Sequence, residues 1–379
     1  MTKSNDLGYL VRHLATPCAG CDYAWPMAYL VTGATGFIGR FLVPELLRHT
    51  GDIHVLVRSG SEGKLARRAQ AWGAPDRIKP VAGDLSKPGL GIGDAWIDEH
   101  RGAIEHMFHL AAIYDMTASD EQNEILNNGG TRHAVQVAEK LDVATLHHTS
   151  SVAAAGLYDK GTFTEDMFDE GQELPSPYHR TKFESEKIVR DKCSRPWRVY
   201  RPAIVVGHSE TGEMDKIDGP YYFFKLLRMA GRIPGRVPLL VPNLGETNLV
   251  PVDYVAKAMA HIAHVPGLDG QAFHLVNPAS QNSVDVMEIF ARQAGAPRLK
   301  QALPKQAMSA AMRIPGVERY VLPGVGVPPE VIEHTEFTCE FGSDHAVAAL
   351  AGSGISVPPL AEYAPVLWRY WLENLADSS

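Results

Sequence analysis

Ala28-Tyr29-Leu30-Val31-Thr32-Gly33-Ala34-Thr35-Gly36-Phe37-Ile38-Gly39-Arg40-Phe41-Leu42 decides how this chain is read. An apolar run ends in three glycines, Gly33, Gly36 and Gly39, and passes into Phe37, Ile38, Phe41, Leu42, Leu46 and Leu47, spaced as one face of a helix. The pattern is strand, tight turn, helix. Glycine suits the three positions because the turn reverses sharply, the backbone must come within hydrogen-bonding reach of a pyrophosphate, and the helix must pack closely on its strand. The helix N-terminus then offers free N–H groups and a partial positive charge to the anion. By itself a Gly-x-x-Gly-x-x-Gly loop can also be a ligand-free turn, so the weight falls on what surrounds it.

The 379 residues can bury a large core, and 45% hydrophobic with 21% charged residues is ordinary for a globular chain. A formal net charge of −8 argues against nucleic acid as a partner, since a phosphate-binding surface needs a basic excess. Cys18, Cys21, Cys193 and Cys339 form no disulfide framework and fit a reducing, cytoplasmic compartment. The Cys18-x-x-Cys21 pair has no second pair or His-x-x-x-His beside it, so no metal site is expected. No apolar run approaches the roughly 20 residues that span a bilayer, which leaves only peripheral membrane contact open. Residues 1–26 lack the apolar core of a signal peptide and precede Met27; they read as an extension outside the core.

After the first helix, Asp52 to Val57 reads as a buried strand followed at once by Arg58. At the end of this strand an acidic residue suits the 2′-hydroxyl of NAD and an arginine the 2′-phosphate of NADP. Arg58 lies 19 positions after Gly39, where that selector is expected; the alternative is a solvated surface arginine. A short strand from Ile78 to Val81 with Gly83-Asp84-Leu85 follows, then a buried strand, Met107 to Ala112, whose small end, Ala111-Ala112, leaves room for a flat cofactor. Asn127 to Lys140 has a helical pattern and Val143 to Thr149 that of a strand. Strand and helix alternate through the first two hundred residues, which predicts an α/β doubly wound parallel sheet.

The fifth strand runs into Thr149-Ser150-Ser151-Val152, and 27 residues after Ser151 comes Tyr178-His179-Arg180-Thr181-Lys182. A tyrosine and a lysine four apart share a helix face, so the ammonium can sit beside the phenol. An unperturbed tyrosine titrates near 10, and a neighbouring positive charge lowers it toward the working range of an acid–base catalyst. Pro175 and Pro177 fix the helix start. A second Tyr-x-x-x-Lys, Tyr221 to Lys225, follows the Arg201-Pro202-Ala203-Ile204 strand and reads as core or pocket wall. Pro44, inside the first helix, is expected to kink it.

With the glycine turn, Asp84, the Ser151, Tyr178 and Lys182 set and the Arg201-Pro202 strand in order, the chain resembles an extended short-chain dehydrogenase/reductase. From Met27 to Leu375 it is similar to the amino-terminal reductase domain of bacterial two-domain fatty acyl-CoA reductases, of the male-sterility and thioester-reductase group. The closer resemblance is carried by His109-Leu110-Ala111-Ala112-Ile113-Tyr114-Asp115-Met116, Gly207 to Asp215, Asp218 to Phe224 and Tyr363 to Trp368. The family's second, carboxy-terminal reductase domain has no counterpart in this sequence. The resemblance implies that Tyr178 protonates the carbonyl oxygen as hydride arrives, that Ser151 holds that oxygen, with Ser150 as the alternative hydroxyl, and that Lys182 lowers the tyrosine pKa and binds the ribose. It implies NADPH lying along Gly33, Thr35, Gly36, Phe37, Ile38, Gly39, Arg58, Asp84, Leu85, Ala111, Ala112, Lys182, Pro202 and Ile204.

The expected organisation is a Rossmann domain over 27–206 and a smaller substrate-binding lobe over 207–379, with 248–276 returning to the first. Ligands bind beyond the carboxyl ends of the strands, so Gly207 to about Leu249 and residues 277–379 should fold over that edge as a lid. Lys225, Arg228, Arg232 and Arg236 read either as a solvated face or as contacts for coenzyme A or an acidic carrier protein. The leading functional expectation is an NADPH-dependent reductase of long-chain acyl thioesters or fatty aldehydes, with room for a homodimer. A hydroxysteroid or flavonol-type ketone reductase would use the same Ser-Tyr-Lys set on another pocket. A sugar-nucleotide epimerase fits less well, because Arg58 favours NADP. A nucleotide-sensing regulator would typically lose the tyrosine or lysine, and both are present.

Overall fold

A computed structural model describes residues 27–111, 120–215, 219–233, 238–242, 245–279, 281–303 and 337–376. Expectations attached to residues 1–26, Ala112 to Met116, Asp218 and Arg236 lie outside them. The centre is a seven-stranded parallel sheet of β1 (Ala28–Thr32), β2 (Ile53–Val57), β3 (Ile78–Ala82), β4 (Ile104–His109), β5 (Thr145–Thr149), β6 (Trp197–Pro202) and β7 (Gln271–Leu275), in the order β3-β2-β1-β4-β5-β6-β7. Sequence order reverses between β1 and β4, and in sheets of this kind the ligand crevice lies there, outside the carboxyl ends of the strands.

Parallel strands are buried on both faces, so helices must cover both. On one face α1 (Gly39–Leu46) and α2 (Glu62–Ala71) pack through Leu42, Val43, Leu46, Leu65 and Ala69. On the other, α3 (Asp94–His100), α4 (Gly130–Lys140) and α5 (Pro177–Lys192) bury Ile97, Ala134, Val137, Ala138 and Val189. Chain that follows β6 returns to the first face: α6 (Phe224–Ala230) lies away from the sheet, but Met259 and Ile262 of α7 (Val252–His264) join the core beside Leu42. The helix α8 (Ser283–Gln293) then leads to α9 (Asp344–Leu350), whose Ala346 and Leu350 share that core, and to α10 (Leu360–Asn374).

A third apolar cluster stands beyond the strand ends. Tyr221, Phe224 and Leu227 meet Val286, Met287 and Phe290 of α8 and Leu367, Trp368 and Trp371 of α10. Ile204–Val206 pairs in parallel with Leu249–Pro251 and joins this cluster to the main sheet.

Two local departures from regular helix have visible causes. Pro44 cannot donate to the Arg40 carbonyl one turn back, and the Trp72 indole N–H donates to that carbonyl instead, at 3.1 Å. The helix expected over Asn127 to Lys140 is an α-helix only from Gly130; Glu124–Gly129 is a π-helical turn whose extra width turns Asn127 and Asn128 inward.

α5 is fixed to the sheet by charge. Glu186 on α5 and Arg201 on β6 are both fully buried, with Arg201 Nη2 donating to Glu186 Oε1 at 2.6 Å and Nε donating to Oε2 at 3.0 Å. Burial alone would raise the Glu186 carboxyl, but the Arg201 guanidinium, helped by Arg190, holds it well below the usual carboxylate range. Removing one partner strands a buried charge, so Arg201→Leu should cost about 3–5 kcal/mol of stability, while the double change Glu186→Leu/Arg201→Leu should cost less than either single one. Urea unfolding of the three variants checks this; a single variant as stable as the unsubstituted chain contradicts it.

Candidate active site

The glycine turn is built as its spacing demands. Gly33 has φ +75°, and a Cβ there would stand 2.8 Å from the Ala111 amide nitrogen at the end of β4. A Cβ on Gly39 would stand 2.2 Å from the Gly33 carbonyl, so the helix can approach its strand only without a side chain. Gly36 lies exposed at the tip between them, its amide donating to the Gly33 carbonyl at 2.9 Å. Thr35, Phe37 and Ile38 are half-buried around it. The turn is therefore a bare-backbone cradle at the start of a helix, which fits a pyrophosphate.

Around the cradle, Arg58 stands exposed where β2 ends. Asp84, just beyond β3, is held below the usual carboxylate range first by the Ser86 amide and hydroxyl, at 2.9 and 2.8 Å, and in smaller part by the positive charges of Lys87 and Arg58. The guanidinium and this carboxylate thus lie near each other at the ends of β2 and β3. Leu85 is half-buried over Gly130, and its carbonyl accepts from the His133 ring. Pro202 is buried and Ile204 half-buried at the end of β6.

The tyrosine helix starts where its prolines put it. Pro177 is its first residue, and the Ser176 hydroxyl caps it by accepting from the His179 amide at 3.4 Å. Tyr178 falls in the first turn, half-buried, where the free N–H end of the helix adds positive potential to whatever a lysine one turn on supplies. That lysine, Lys182, is 7% exposed and donates from Nζ to the Thr149 carbonyl at 3.3 Å. Burial lowers its ammonium from 10.5 to about 8. Two residues past Thr149, Ser151 caps the short turn Val152–Ala155, accepting from the Ala153 amide at 3.2 Å, and α5 packs on this turn. Ser150 instead lies beside the buried Glu186 carboxylate. The second motif is a different object: Tyr221 is 4% exposed inside the third cluster, its hydroxyl accepting from the Gly207 amide at 2.7 Å.

Two parts of the site have no signal in local spacing. Asn127 is buried in the π-helical turn and donates from Nδ2 to Thr181, the residue before Lys182, at 3.2 Å. Arg40, directly after the last glycine, is 8% exposed, stacks over Phe37 and Phe41 at 5.1 Å each, and reaches Asp215 at 3.0 Å and Glu213 at 3.4 Å. It ties the loop that follows Val206 to the glycine turn. A Gly-Arg pair is too short a signal for either contact. Among the described residues no group of three or more His, Cys, Asp or Glu is placed to hold a metal ion, and no helix is long and apolar enough to cross a membrane.

The fold is the Rossmann-type fold of the extended short-chain dehydrogenases/reductases. The model of the male sterility protein family, an NAD-binding domain, matches residues 31–259. The chain belongs to that family. It is 31% identical over 277 residues to the non-canonical nonribosomal peptide synthetase hkm10 of Aspergillus hancockii, covering 68% of this chain and 27% of the relative. It is also 31% identical over 279 residues to the aldehyde reductase lnaA of Aspergillus flavus, covering 68% and 26%. The chain thus spans about a quarter of the length of these curated relatives. Among solved structures it is similar to the terminal R domain from the myxalamid PKS-NRPS biosynthetic pathway, with TM-score 0.77 and 26% identity over 94% of this chain and 92% of that one.

The Lys182 ammonium should lose its proton, and its charge, as pH rises through about 8, while exposed lysines hold theirs. NMR of lysines labelled at the ε-carbon should show one resonance titrating near 8 that disappears in Lys182→Met; a chain in which every lysine titrates at about 10.4 contradicts the burial argument.

Proposed function

We propose that this chain is an NADPH-dependent reductase of long-chain fatty acyl thioesters, on coenzyme A or an acyl carrier, and of fatty aldehydes, working toward fatty alcohols. The observation that carries the reading is the placing of Tyr178 and the buried Lys182 on one capped helix against the strand end that leads into Ser151. When bound, the nicotinamide cofactor supplies hydride to the carbonyl carbon. Tyr178 gives its phenolic proton to the carbonyl oxygen, and Ser151 donates a hydrogen bond to the same oxygen. Lys182 favours the phenolate by its charge, and its remaining ammonium protons would hold the ribose. With a thioester the resulting hemithioacetal expels the thiol and leaves an aldehyde; with an aldehyde the same step gives an alcohol. Arg58 supports NADP over NAD, because a guanidinium pairs with a 2′-phosphate.

The fatty chain is the finer part of the proposal. It is supported by the family resemblance, by the aromatic and aliphatic cluster of residues 221–227, 284–291 and 360–371 beyond the strand ends, and by the aldehyde reductase among the relatives. Burying a methylene contributes about 0.8 kcal/mol, roughly fourfold in binding, so kcat/KM with NADPH should climb at least tenfold from hexanal to dodecanal. A dodecanoyl thioester should also be turned over, a steroid ketone poorly, and Arg58→Asp should abolish the preference for NADPH over NADH. Flat chain-length dependence with good activity on the ring ketone would move the protein to the ketone-reductase reading. Equal kinetics with both cofactors would remove the role of Arg58.

A further inference from the structure

A line of hydrogen bonds runs from the glycine turn to the tyrosine helix through the interior. The Ala111 amide donates to Thr32 Oγ1 at 3.3 Å, and Thr32 Oγ1 meets His109 Nδ1 at 2.9 Å. On the far side of the ring His109 Nε2 meets Thr131 Oγ1 at 3.2 Å, and Thr131 Oγ1 meets the Asn127 carbonyl at 2.7 Å. Thr32 and His109 are register partners on β1 and β4, the two strands that border the crevice. All of these side chains are at most 2% exposed.

One assignment of protons satisfies the whole line. The Asn127 carbonyl can only accept, so it takes the single hydroxyl proton of Thr131, and Thr131 Oγ1 must then accept from His109 Nε2–H. A neutral ring protonated on Nε2 has a bare Nδ1, which accepts the hydroxyl proton of Thr32; a lone pair of Thr32 Oγ1 is left for the Ala111 amide. An imidazolium would break the line, because Nδ1 would carry a proton and the Thr32 hydroxyl would lose its acceptor. Burial, with the Lys182 charge adding to it, pushes His109 down to about 3, so the ring stays neutral.

We propose that His109, as the neutral Nε2–H tautomer, is a positioning residue that locks the end of β4 beside the cofactor turn to Asn127 and, through Asn127 and Thr181, to the helix of Tyr178 and Lys182. The inference rests on the reading of that helix given under the proposed function. Its chemical sense is distance. Hydride and proton must arrive at the two ends of one carbonyl, so the cofactor turn and α5 must keep their spacing, and a misplacement of about 1 Å between reacting groups can cost on the order of a hundredfold in rate. The imidazole touches no reacting atom, so its loss should act on kcat and leave substrate binding alone.

The test uses the full chain, with dodecanal and NADPH, and expresses kcat per NADPH-binding site counted by fluorescence titration. His109→Leu should lower kcat about tenfold with the aldehyde KM within about threefold. Thr131→Val keeps the ring and removes its acceptor, and should give the same loss; the double variant should fall no further, and Thr131→Ser should restore the rate. Unchanged kcat per binding site in both single variants, or losses that multiply in the double variant, would overturn the proposal. A second measurement needs no turnover: ring ¹⁵N shifts of His109 in the unsubstituted chain at pH 6 should show the neutral Nε2–H form, and an imidazolium or the Nδ1–H tautomer would overturn it. A chain that shows the Nε2–H form but reduces no aldehyde counts against the reductase reading and supports the pairing of His109.

Discussion

A positive charge kept in the interior is the constraint around which this structure is arranged. Lys182 is almost fully buried and its ammonium is given a backbone carbonyl, Thr149 O, in place of a carboxylate. In the proposed mechanism a carboxylate beside it would neutralise the field that the Tyr178 phenol needs, whereas a carbonyl solvates the proton and leaves the charge standing. The cost appears as the lowered ammonium, at about 8, and is carried by the anchoring of the helix. Ser176 and Pro177 fix where α5 begins, and Glu186 with Arg201 fixes its rotation against the sheet one turn after Lys182. The helix cannot slide along the sheet without stranding the buried Glu186 or Arg201 charge.

The same economy governs the crevice. The topology brings the ends of β1 and β4 together, and glycine at 33 lets the two backbones touch; Thr32 and His109 beside them are each hydrogen-bonded on two sides. Arg40 joins the loop after Val206 to this turn through Glu213 and Asp215, so the segment leading into the third apolar cluster is tied to the glycine turn rather than hung from one strand.

What sequence could say about this site follows from the range of each interaction. The glycine turn, the proline-fixed helix start and the Tyr178, Lys182 spacing are set within a few residues, and all were readable. Arg58 was placed by counting along one strand–turn–helix unit. By contrast His109 meets partners 77 and 22 residues away, through strand register and a π-helical turn. In sequence it is a polar residue at the end of an apolar run, and Asn127 is one asparagine beside another. The fifth strand shows the limit from the other side: Thr145-Leu146-His147-His148-Thr149 has little apolar character yet is wholly buried, with His147 paired to His106 and Tyr200 on the neighbouring strands. Two copies of Tyr-x-x-x-Lys were separable only by what precedes them, since the spacing is the same and burial is what distinguishes a core tyrosine from one at a crevice.

The central claim is that Tyr178 delivers the proton. It is tested most directly by single-turnover oxidation of NADPH in Tyr178→Phe, with cofactor binding measured in parallel. The account predicts a rate lower by about two orders of magnitude or more with NADPH still bound, since the hydroxyl is lost while the glycine turn is untouched. A Tyr178→Phe enzyme within threefold of the unsubstituted rate, or a loss of that size in Tyr221→Phe instead, would contradict it.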